Sequence, residues 1–121
     1  MGETRNPKQY DLEDRTYEFA RRVRAFGKTL PRTIANIEDG KQVIRASGSV
    51  GANYIEANEA LSKKDFLMRV KICRKESKES RYWLRLIDVA SKREVEAERG
   101  VLVQEATELM KIFGAMVRNN E

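Results

Sequence analysis

Ser47-Gly-Ser-Val-Gly-Ala-Asn53 decides how this chain is read. Its composition is that of a turn, yet it lies inside a helical pattern. Lys41-Gln-Val-Ile-Arg-Ala46 precedes it and Tyr54-Ile-Glu-Ala-Asn-Glu-Ala-Leu61 follows, with no proline and no turn pair such as Asn-Gly. Glycine in a helix interior costs about 1 kcal/mol against alanine, so Gly48 and Gly51 together carry a penalty of roughly 2 kcal/mol. Close packing is what offsets it, because small side chains admit another backbone. The competing reading, a loop that cradles phosphate, needs Gly-x-x-x-x-Gly-Lys-Ser/Thr after a strand. Neither the spacing nor the strand is present.

Working outward, four helices emerge. Leu12, Thr16, Phe19, Val23, Phe26 and Leu30 alternate in steps of four and three, one face of a helix over about Leu12 to Lys28. Asp11 and Asp14 suit its start, and Gly27 and Pro31 its end. The second helix covers about Ile37 to Ala60, with Asn36 as candidate cap. Ser62-Lys-Lys-Asp65 resembles a capping box for a third helix reaching to about Ser91. Its stripe is Phe66, Val70, Cys73, Ser77, Ser80, Leu84 and Ile87. The fourth spans about Ala97 to Arg118 on Leu102, Ala106, Leu109, Phe113 and Met116. This predicts an all-α, antiparallel up-down-up-down four-helix bundle, one domain over residues 1–121 with residues 1–9 flexible.

The second connection is short, so helices 2 and 3 are antiparallel neighbours. With the turn at Ser62, facing residues have numbers summing to about 124. Ser47 then faces Ser77, Gly51 faces Cys73, and Arg45 faces Glu79. The small run of helix 2 meets the small middle of helix 3. The expected separation is at or below the ~8 Å lower end of ordinary helix packing.

Several functions are excluded by composition. The chain has no histidine and one cysteine. That removes Ser-His-Asp and Cys-His catalysis, Glu-x-x-His di-iron sites and ordinary zinc sites. Charged residues are 36% and aromatics 7% of the chain, a balance suited to long helices rather than sheets. No apolar run approaches the ~20 residues of a membrane span, and no signal-peptide segment opens the sequence. A cytoplasmic protein without membrane partners is expected, with no cofactor.

Glu56 with Glu59, and Glu76 with Glu79, form two Glu-x-x-Glu pairs. Four such carboxylates could hold Mg²⁺ for nucleotide phosphohydrolysis. The hairpin register opposes this, because it offsets the pairs by roughly ten residues, or ~15 Å of helical rise. An Arg45–Glu79 ion pair, with Glu76 nearby, is the simpler account, and no metal site is expected.

Net charge is +5 and uneven. Residues 63–93 carry eleven Lys/Arg against four Asp/Glu, and residues 94–121 carry three against six. Lys71, Lys75, Lys78 and Arg85 share a face of helix 3 with Tyr82 between them, flanked by Arg74 and Arg81. Helix 1 adds Arg21, Arg22, Arg24 and Lys28. A solvated face is one reading. A phosphate-backbone surface, salt-sensitive and sequence-independent, is the other. Trp83, Leu86, Tyr54 and Tyr17 lie off the main stripes, which points to a second covered surface; self-association is the economical reading, and packing against helix 1 or the helix 3–4 loop is the other.

Tyr10-Asp-Leu12, Leu30-Pro31, the block Gln42 to Ala57 and the block Asp65 to Leu84 together carry a resemblance. The chain resembles the small bacterial four-helix-bundle proteins of 23S ribosomal RNA intervening sequences, over about Tyr10 to Met116. The central motif is Arg45, Ser49, Asn53 and Glu56 around the small run, with Gly51 where relatives often carry proline. The resemblance implies a left-handed bundle, ring-like homo-oligomers expected to be pentamers, and no established enzymatic activity. The chain is also similar to accessory proteins of diversity-generating retroelements, which implies RNA or DNA and a reverse transcriptase-like partner. The leading expectation is a non-enzymatic oligomer that binds nucleic acid, RNA first, through helices 1 and 3. The alternatives are a protein-interaction scaffold and the Mg-dependent phosphohydrolase.

Overall fold

Leu12, Thr16, Phe19, Val23 and Phe26 are all buried in the computed structural model, which describes the backbone of residues 7–121 and side chains from residue 12. Four helices follow in order: α1 (Pro7–Gly27), α2 (Ile34–Asn58), α3 (Lys63–Leu86) and α4 (Arg93–Asn120). No strand occurs among the described residues. Neighbours in sequence pack on one another, α2 on α3 most extensively, and α1 closes the ring on α4 along the thinnest seam. Among the described residues the diagonal pairs α1–α3 and α2–α4 do not approach backbone to backbone. This is the antiparallel four-helix bundle that the periodicity demands.

The boundaries differ from expectation in instructive ways. Of residues 1–9, expected to be flexible, 1–6 lie outside the described residues and α1 begins at Pro7. Proline suits a first helical position because its missing N–H would have no helical partner there. Asp11 and Asp14 therefore lie inside α1, and the Asp11 side chain is outside the described set. Thr33, not Asn36, caps α2, accepting from the Asn36 N–H at 3.1 Å. Ser62 caps α3 as expected, accepting from the Asp65 N–H at 3.1 Å. Helix α3 stops at Leu86, short of Ser91. The chain turns extended at Ile87, and Ala90 and Ser91 take left-handed backbone angles at φ 55° and 59°. For non-glycine residues that conformation carries a cost, so other contacts must hold the loop.

Asn36 is one such contact. Its buried amide donates to the carbonyls of Pro31 (3.0 Å) and Asp88 (2.8 Å), and its oxygen accepts from the Asp88 N–H (3.0 Å). The start of α2 is thereby clasped to the α3–α4 loop. Arg99 of α4 is the other, donating to the Leu84, Arg85 and Ile87 carbonyls at the end of α3.

The α2–α3 register is the expected one. Arg45 reaches Glu79 at 3.4 Å and Glu76 at 3.5 Å. The Cys73 thiol donates to the Val50 carbonyl at 3.3 Å, and Arg69 to Asn53 at 3.0 Å. Ser47, Ser77 and Ser80 are fully buried and satisfy their hydroxyls on carbonyls of their own helices. Gly51 is the correction. It faces α1 rather than Cys73 of α3: a Cβ there would stand 2.9 Å from Thr16 Oγ1 and 3.2 Å from Thr16 Cβ. Gly48 likewise lies under the Arg24 guanidinium of α1. Ser49 is tied through Asn53 to Arg69 on the α3 side of α2, whereas the two glycines lie on the α1 side.

Candidate nucleic-acid interface

On α3 the buried stripe fixes what points outward. With Val70, Cys73, Ser77 and Leu84 in the core, Lys71, Lys75, Lys78, Tyr82 and Arg85 are all exposed. They run for roughly 21 Å along the helix at its ordinary rise. Lys71 lies 3.7 Å from Glu121. Lys75, Lys78 and Arg85 have no carboxylate within ion-pair distance among the described residues. Arg74 and Arg81 are half-buried on the flank. The stem of Arg74 crosses to α4, 3.7 Å from where a Gly114 Cβ would stand.

The glutamates of α3 do not neutralise this stripe, because they turn the other way. Glu76 is buried and Glu79 half-buried on the α2 side, where Arg45 spans both. Asn53 donates to Ser49 at its carbonyl (2.9 Å) and hydroxyl (3.0 Å), and receives Arg69. Arg45, Ser49 and Asn53 thus form the polar seam between α2 and α3. Glu56 stands exposed. No three carboxylate or thiol groups gather among the described residues, so the two Glu-x-x-Glu pairs do not come together as one four-carboxylate cluster.

The basic residues of α1 do not join the α3 stripe, since the two helices are diagonal. Arg21 is bound by Glu18 on its own helix; that hydrogen bond raises the guanidinium pKa and lowers that of the carboxyl. Arg22 makes a two-bond contact to Glu98 of α4, at 2.7 and 3.1 Å. Arg24 and Lys28 are exposed on the α2 side.

Among the off-stripe aromatics, Tyr54 is buried against Phe113 of α4, ring centroids 5.7 Å apart, and belongs to the core. Trp83 packs partly on the core, edge-on to Tyr82. Tyr17 and Leu86 are exposed. Burial pushes the Cys73 thiol up to about 12, so it persists as an inert neutral thiol. Sequence reasoning missed Asn36 as the clasp, because a cap and a buried tertiary amide carry the same local signal.

The profile of the 23S rRNA-intervening sequence protein family matches residues 8–115. The chain belongs to this family. Among solved structures, a protein of unknown function from the S23 ribosomal protein family of Bacteroides thetaiotaomicron VPI-5482 is similar, at 28% identity and a TM-score of 0.74. The similarity covers 92% of this chain and 98% of that one. No curated protein matches the chain. Neither the family description nor that neighbour names an enzymatic activity, and no helix of this intervening-sequence protein is long and apolar enough to cross a membrane among the described residues.

Proposed function

We propose that this intervening-sequence protein binds nucleic acid, RNA foremost, along the outward face of α3. The observation that carries the reading is the uncompensated line Lys75, Lys78 and Arg85, extended by Lys71, on a helix whose own glutamates are turned toward Arg45. A rigid row of cations follows a phosphate backbone without reading bases, so affinity is sequence-tolerant and falls linearly in log–log plots against salt. Self-association is part of the proposal. Ile55, Leu61 and Met68 are exposed at the α2–α3 turn end, where a second copy would cover them. A ring, pentameric by family resemblance, would repeat the stripe and multiply a weak contact.

The experiment is RNA and DNA binding by the wild type and by Lys75→Glu/Lys78→Glu across a salt series. The double variant is expected to lose at least about tenfold at low salt for every sequence tested, with melting temperature and assembly mass unchanged. Absence of wild-type binding at low salt would overturn the proposal and leave the scaffold reading.

A further inference from the structure

Arg24 lies in the last turn of α1, Lys28 and Arg32 lie in the connection, and Lys41 stands about two turns into α2. All four line one cleft of about 660 Å³ between these segments. That volume is within the roughly 300–1,000 Å³ of small-molecule sites. No carboxylate lines the cleft. Lys41 alone of the four has an ion-pair partner among the described residues, the exposed Glu38 at 3.5 Å. The contrast with the rest of α1 is sharp. Arg15 and Arg22 each hold a carboxylate of α4 at 2.7 Å. The cations on the α2 side of the same helix hold none.

The floor is apolar, made by Leu30, Pro31, Ile37 and Ile44. Gly40 leaves it open, with nothing within 4 Å of where a Cβ would project. The first turn of α2 contributes no acidic residue. Lys28 and Arg32 without a carboxylate, joined on the rim by Lys41 beside Glu38 and by Arg24, whose guanidinium donates to the Ala20 carbonyl, border an apolar lining that fits an anion of high charge carrying a flat, weakly polar body. We infer that this cleft binds a nucleoside 5′-polyphosphate, either free or as the 5′-triphosphate end of an RNA.

The charge favours this class over a monoanionic amphiphile, because a triphosphate of about −4 takes up Lys28 and Arg32 together and draws Lys41 from Glu38, whereas a single phosphate leaves cations uncovered. The floor sets the specificity. Asn36, the one amide in the lining, spends its oxygen and both donor hydrogens on Pro31 and Asp88. No free amide remains to read a base edge, so the four nucleotides bind alike. With no carboxylate to receive Mg²⁺, the side chains themselves neutralise the phosphates. Binding therefore needs no divalent ion, and added Mg²⁺ weakens it by competing for the phosphate charge. The cleft takes none of its lining from the α3 stripe, and binding there does not rest on that stripe.

The test is calorimetric titration of the full chain with ATP, GTP, CTP and UTP at low salt in EDTA. Saturable binding within about threefold across the four is expected, weakened by Mg²⁺ and by salt. Inorganic tripolyphosphate should bind at least about tenfold more weakly, having no body for the floor. Lys28→Glu/Arg32→Glu changes two exposed side chains, so it should melt with the wild type while losing ATP binding by at least about tenfold. Lys75→Glu/Lys78→Glu should bind ATP as the wild type does. A 5′-triphosphate RNA that outcompetes its 5′-hydroxyl counterpart for bound ATP places an RNA end in the cleft. Equal competition by the two, with ATP binding intact, places a free nucleotide there. No saturable ATP binding, tripolyphosphate binding equal to ATP, or full binding by the Lys28/Arg32 variant would each overturn the inference.

Discussion

At Gly51 the helix penalty and the packing gain can be separated by mutation. Adding one methyl group should gain up to about 1 kcal/mol of helix propensity. It would also force a Cβ to 2.9 Å from Thr16 Oγ1, whose rotamer is held by a 2.8 Å hydrogen bond to the Leu12 carbonyl. Overpacking of this kind costs typically about 1–3 kcal/mol, so Gly51→Ala is expected to destabilise on balance. Gly40 supplies the control on the same helix, because its Cβ would meet nothing within 4 Å. Gly40→Ala should stabilise by roughly 0.5–1 kcal/mol. Thr16→Ala should return part of the loss in Gly51→Ala, since it removes the nearer of the two contacts. Urea unfolding of the four variants decides the matter: equal stabilisation by both alanines would mean that α1 does not press on Gly51. The sequence signalled a close approach at this position and not its partner. A helical period shows which residues are small, but on a helix with neighbours on two sides it does not say which neighbour each small residue serves.

Between α2 and α3 the partner was legible, because a short connection leaves one antiparallel register and both stripes run through it. Arg45 meeting Glu79, and Asn53 meeting Arg69, follow from that register. What the register could not weigh is burial. The Glu76 side chain is 7% exposed and that of Glu79 39%, while Arg45 is 55% exposed. Removing the cation leaves the Glu76 carboxylate buried beside an apolar stem, a penalty of about 1–3 kcal/mol. The half-exposed Glu79 pair should contribute under about 1 kcal/mol. Arg45→Met is therefore expected to couple strongly to Glu76→Gln and weakly to Glu79→Gln in double-mutant cycles of unfolding free energy. Equal coupling to the two would mean that the arginine serves them as a solvated surface group. Contacts across the ring were not legible at this scale. Tyr54 reads as off-stripe on α2 because its partner, Phe113, comes from the diagonal helix. The early end of α3 was hidden for a similar reason: the clasp of Asn36 and the Arg99 plug belong to α2 and α4.

Over the whole molecule, the uneven charge of the sequence resolves into two different uses. The last helix turns three of its five glutamates to α1, where Arg15 meets Glu105 and Glu108 and Arg22 meets Glu98. The basic third helix is left bare on its outward face. The same division sets α1 apart, since its backbone seam with α4 is the thinnest in the ring and ion pairs bridge it beside the buried face of Phe19 and Val23. Such pairs contribute roughly 0.2–1 kcal/mol each and are screened by salt. Regions of low local contact density open locally before the rest of a fold. Hydrogen exchange should accordingly find lower protection in α1 than in the α2–α3 hairpin, with a further fall as salt rises from low to about 1 M, where the screening length shrinks to about 3 Å. Glu98→Gln/Glu105→Gln should reproduce the high-salt pattern at low salt, speeding exchange in α1 by up to about tenfold while sparing α3. Uniform protection across the four helices, unmoved by salt or by these substitutions, would show that α1 is held by its apolar face alone and that the ion pairs only decorate the seam.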